Sequence, residues 1–133
     1  GSGVGVPLGT EFRQLPCKYS FAANGGGTGT YAIGRLPQGA RVVGGFLDVT
    51  GTPTAVSGTP TIAVSVEGAN DLITAASVLG APWSTVSKTL VTPRIETQAT
   101  TSILLTADRN VTVTIATAAI NTGVFTVTLE VLG

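Results

Sequence analysis

Acid–base chemistry in this sequence would have to come from carboxylates. Seven are present, Glu11, Asp48, Glu67, Asp71, Glu96, Asp108 and Glu130, alongside seven Lys and Arg, no histidine and one cysteine, Cys17. Glycoside hydrolysis needs two carboxyl groups about 5–10 Å apart across a sugar. A sugar cleft also draws on several aromatic platforms, and only one Trp, two Tyr and four Phe are available. The lack of histidine removes a Ser-His-Asp triad, a Cys-His pair and the commonest nitrogen ligand of metals. We therefore expect no catalytic residue, no cofactor and no metal site, and no enzyme.

Three local constellations remain. Glu67-Gly68-Ala69-Asn70-Asp71 gathers hard oxygen donors that suit Ca²⁺, but EF-hand spacing is absent, and a solvated turn with an Asx cap is the expectation. Gly27-Thr28-Gly29-Thr30-Tyr31-Ala32 matches Gly-x-Gly-x-x-Ala. A dinucleotide site needs a strand before that pattern and a helix N-terminus after it. Here a strand closed by Pro37 follows, so residues 24–29 read as a flexible hairpin loop. Trp83, outside any clear strand, is either an exposed contact for a ligand or neighbouring subunit or a plug at one end of the core. Cys17 reads as a small buried hydrophobe.

The formal net charge of +0 supplies no field to steer the chain onto nucleic acid or an anionic membrane. Mean hydropathy is +0.44, yet no run reaches the ~18 consecutive apolar residues of a spanning helix. Neither partner is expected. With 133 residues the chain fits one domain.

The elements follow from about 22 threonines alternating with aliphatics at a period of two. Residues 111–117 place Val111, Val113 and Ile115 inward, and residues 125–131 place Phe125, Val127, Leu129 and Val131 inward. Asn121-Thr122-Gly123 between them predicts an antiparallel hairpin. Residues 61–67 repeat the alternation, and residues 40–50 form a longer strand whose Gly44-Gly45 pair predicts a bulge. Weaker strands are expected at 17–23, 30–36, 85–91, 94–97 and 102–106, with a turn-rich connection over 51–60. At most one short helix is expected, over 71–79, capped by Asn70 or Asp71. About nine short strands in a chain this size predict an all-β fold, an antiparallel two-sheet β-sandwich or jelly roll, over residues 17–133. Residues 1–16, rich in glycine and without a regular period, read as an extended N-terminal arm that orders on a neighbouring subunit, the alternative being a disordered terminus.

The run from Tyr31 to Thr50, with Leu36-Pro37-Gln38-Gly39-Ala40 leading into Val42-Val43-Gly44-Gly45, resembles small structural proteins of tailed bacteriophages. Ile120-Asn121-Thr122-Gly123 and the closing strand 124–132 match a later segment of the same pattern. In the turn, Pro37 fixes φ and Gly39 supplies an unusual backbone angle. The resemblance spans about residues 31–132. It implies a virion component, most like a capsid decoration (cement) protein, made in the host cytoplasm and bound to the outer capsid surface. Its partner would be the major capsid protein and its state a homotrimer. The resemblance transfers no functional residue; the candidate interface residues, Phe12 and Leu15 on an arm crossing onto an adjacent chain and Trp83 as an aromatic contact, come from the residues alone. A head- or tail-fibre β-domain that binds a host glycan through Trp83, Tyr19 or Tyr31 is the alternative.

Overall fold

A period of two puts one set of side chains on each face of a pleated ribbon. The computed structural model, which describes residues 12–68, 71–91, 93 and 102–132, has nine strands and a single helical turn. They are β1 (Phe12–Ser20), α1 (Phe21–Asn24), β2 (Gly29–Leu36), β3 (Arg41–Ala55), β4 (Thr61–Ser65), β5 (Ile73–Ser77), β6 (Ser87–Leu90), β7 (Ile103–Leu104), β8 (Arg109–Ala116) and β9 (Ile120–Leu132). One sheet has the order β1-β9-β3-β6, with β7 also paired to β3, and the other has the order β2-β8-β4-β5. All pairings are antiparallel. The chain crosses repeatedly from one sheet to the other, which is the winding of a jelly roll. The expected two-sheet β-sandwich is the fold observed.

The core lies between the inner faces. Val111, Val113 and Ile115 enter it from β8, and Phe125, Val127, Leu129 and Val131 enter it from β9, as the alternation requires. The two strands are not a hairpin, however. β8 pairs with β2 and β4, whereas β9 pairs with β1 and β3, so the two face each other across the core. Asn121-Thr122-Gly123 is part of β9, where Thr122 lies opposite Thr54 of β3. The reversal falls instead after Ala116, where Thr117 takes a positive φ of 68° and donates to the Thr59 carbonyl at 2.5 Å.

Residues 71–79 are not a helix. The Asp71 carboxylate accepts backbone N–H bonds from Val66, Glu67 and Gly68 at 2.8, 2.9 and 2.7 Å. Spent on the preceding turn, it cannot cap a following helix, and β5 pairs with β4 with Ile73 opposite Val64. The only helix among the described residues is the single turn α1. The first half of the expected 51–60 connection continues β3 to Ala55, and the expected strand at 94–97 lies outside the described residues.

The boundary of the arm also moves. Phe12 to Pro16 belong to β1, paired through Leu15 and Leu129 to β9, so the sandwich begins at least five residues before the expected position 17. Cys17 and Tyr19 point inward and are fully buried. Pro16 hid this alternation from view; β1 is an edge strand, where a missing N–H can face away from the ladder. The expected bulge at Gly44-Gly45 is present as a register shift between Val42 and Gly44. Gly45 has φ +140°, and a Cβ there would stand 2.1 Å from the Thr128 carbonyl oxygen, so only glycine fits. Gly39 carries the expected positive φ, +88°.

Candidate functional site

The described carboxylates are largely committed to structure. Asp71 is buried against its three amides, so the expected Asx-type cap is made by a carboxylate turned inward, while Gly68 of the same turn is exposed. Glu67 accepts from the Thr106 hydroxyl at 2.5 Å and from Arg109 Nε at 2.9 Å. The Thr106 bond first, and the Arg109 guanidinium next, hold its carboxyl below the usual 4.5. Asp108 accepts the Gln38 N–H at 2.8 Å and pairs with Arg35 at 3.5 Å. These contacts tie the 37–40, 66–71 and 105–108 turns together at one end of the sandwich. Among the described residues no group of three His, Cys, Asp or Glu converges where a metal ion could be held. Glu11 and Glu96 lie outside the described residues.

The aromatic residues are also structural. Trp83 and Tyr19 are fully buried and meet on Phe125, whose ring lies 4.8 Å from Trp83 and 4.9 Å from Tyr19. Of its two sequence readings, the core plug is the one the structure has, and Trp83 is withdrawn as an interface residue. Tyr19 donates to the Gly25 carbonyl and Tyr31 donates to the Gly27 carbonyl at 2.5 Å. Ile120 N–H donates to Gly26 O at 2.8 Å. The expected flexible loop at 24–29 is thus pinned at three successive carbonyls. Of the three aromatic residues considered for a glycan platform, only Tyr31 keeps an exposed edge.

The three candidate interface residues do not converge. Leu15 is half-buried and packs on the core of its own chain, Trp83 is internal, and the Phe12 backbone pairs with Leu132. What sequence reasoning missed is a surface on the opposite edge of the sandwich. A groove of about 390 Å³ opens between β5 and β6, with Leu47, Ile73, Pro82 and Leu90 as its apolar lining and Thr74, Thr85 and Thr89 as its hydroxyl lining. Leu90, which lines it, is 77% exposed, and Leu79 and Val86, close in sequence to the lining residues Ala81, Pro82 and Thr85, are 68% and 66% exposed. Grouped exposed apolar side chains mark interaction surfaces, whereas scattered ones do not. The available signal was the run 79–90, where the spacing of two at 79, 81 and 83 breaks off and the next large apolar residues fall at 86 and 90.

Comparison with known proteins gives the architecture a context. No protein-family model matches the sequence and no curated protein does. Solved structures do match. One is a chain of the acidic stable capsid structure of Helicobacter pylori bacteriophage KHP30, at TM-score 0.65 and 19% identity, over 95% of this chain and 90% of that one. Another belongs to the cyanophage Pam1 capsid asymmetric unit, at 0.65 and 20%, over 98% and 91%. A third belongs to the capsid of Ralstonia phage GP4, at 0.61 and 17%, over 98% and 90%. At these identities the likeness is one of fold, and the chain shares its jelly roll, nearly end to end, with chains found in three phage capsid structures.

Proposed function

We propose that the chain is a structural component of a bacteriophage virion: a decoration (cement) protein that binds the outer surface of the head as a homotrimer and clamps neighbouring major capsid subunits. The observation that carries this reading is the near-complete overlap with chains of three phage capsid structures, leaving little of either chain unmatched. The chemistry is compatible with it. Glu67, Asp71 and Asp108 serve turns and ion pairs, the net charge is +0, and Leu90 stands exposed in an apolar groove at one edge. A neutral, hydroxyl-rich block binds by shape and backbone hydrogen bonds, and a closed symmetric trimer multiplies each weak contact through effective concentration.

Heads assembled without this protein supply the test. Purified chain added to them should co-sediment to a saturating ratio and raise the temperature at which the heads lose their contents. Light scattering should give three times the 13.3 kDa chain mass. Protein that stays in the supernatant at every concentration would refute the decoration role, and a 13.3 kDa particle would refute the trimer.

A further inference from the structure

We propose that the groove between β5 and β6 receives residues 4–8 of a second copy of this chain, added as a strand along the free edge of β6. This rests on the homotrimer reading above, and it names the site where the N-terminal arm lands. β6 ends its sheet in the described structure, with β3 on one side and the groove on the other. An open sheet edge beside exposed aliphatics is a template for an incoming strand.

The occupant is chosen by pattern, charge and reach. Residues 1–16 have no period as a whole, but within them Val4, Val6 and Leu8 are spaced by two, so in an extended strand all three face one side, toward the groove. Their backbone groups then share one hydrogen-bonding direction, toward β6. Pro7, which has no N–H, and Gly5 and Gly9 fall in the opposite register, where no ladder is needed. Residues 1–10 carry no charged side chain, and neither does any residue lining the groove. Residues 94–101, which also lie outside the described residues, hold charges at Arg94 and Glu96 and a single large aliphatic, Ile95, so they match poorly.

Reach argues for a second copy. Phe12 is level with Arg41, and Leu47 and Thr89 are level with Cys17, five residues along the strands and three strands across. At ~3.3 Å per residue and ~4.8 Å per strand Thr89 lies about 22 Å away in a straight line through the sheet, and a strand added beyond β6, one strand further out, lies about 25 Å away. Val6, six residues before Phe12, reaches about 20–22 Å when fully taut, and Leu8 about 14 Å. A chain therefore cannot seat this segment in its own groove by any path around the sheet.

Disulfide trapping in the purified full-length chain tests this without any capsid. Val6→Cys chain is mixed with Thr89→Cys chain and oxidised mildly, with Thr114→Cys, on the outer face of the other sheet, as control. The native Cys17 is buried. A cross-linked dimer should form in the first mixture at least tenfold more than in the control mixture. Val6→Asp should weaken self-association at least tenfold, and Gly5→Asp, in the outward register, should leave it unchanged. Equal cross-linking in the two mixtures, or no cross-linked dimer in either, would overturn the proposal. Head binding is read separately, so capsid-competent protein lacking the cross-link would refute the groove while leaving the decoration role intact.

Discussion

The thiol of Cys17 fills the space that a side chain at residue 34 would need: a Cβ on Gly34 would stand 2.4 Å from Cys17 Sγ and 3.4 Å from Cys17 Cβ. Cys17 lies on β1 and Gly34 on β2, the adjoining edges of opposite sheets, and the register of β2 on β8 shifts between Ala32 and Gly34 at this level. The sheets close on each other here through one sulfur against one glycine.

Gly34→Ala should therefore destabilise the fold by about 1–3 kcal/mol, the usual cost of overpacking. This outweighs the ~0.4–1 kcal/mol gained by restricting the unfolded chain. Combining it with Cys17→Ala should recover part of the loss, giving a coupling of at least ~0.5 kcal/mol in a denaturation double-mutant cycle. Burial also pushes the Cys17 thiol up to about 11, so a thiol-specific reagent at neutral pH should label it only as fast as the protein opens.

Trp83→Ala should cost about 3–5 kcal/mol, because it removes the ring packed on Phe125 in a closed core. Wild-type tryptophan fluorescence should be blue-shifted and poorly quenched by iodide. Ready quenching would place the ring at the surface after all.

Asp71→Ala should destabilise by at least ~2 kcal/mol, because it strands three backbone donors of the 66–68 turn. Asp71→Asn should retain part of that, since its one carbonyl oxygen can serve some of the same amides. Urea titrations of both variants give the comparison.

Glu67 binds its proton less readily in the folded protein than in the unfolded chain. Its contribution to stability is complete above the ordinary value of 4.5 and is lost as the pH falls through the lower folded value. Thermal melts below pH 4.5 should show wild type losing stability more steeply than Glu67→Gln. Parallel profiles would mean that the Thr106 and Arg109 contacts do not hold in solution.

Alternation was legible in the sequence because it is local: Val111 to Ile115 and Phe125 to Val131 declare their inward faces without reference to any partner. Pairing is not local. The same inward rows suit a β8–β9 hairpin or two strands facing across a core, and only the distant strands β3 and β4 decide between them. Asp71 shows a second limit, since an acidic residue before an apolar run signals a helix cap unless the preceding turn has already claimed it. The β6 groove was illegible because it is made of edges, and which strands end a sheet is fixed by the whole topology.

The most direct test of the central claim is electron cryomicroscopy of the phage head. The account predicts density for this jelly roll on the outside of the shell, bridging neighbouring major capsid subunits. A shell whose outer surface shows no such density, with the protein present in the lysate but absent from purified particles, would contradict it.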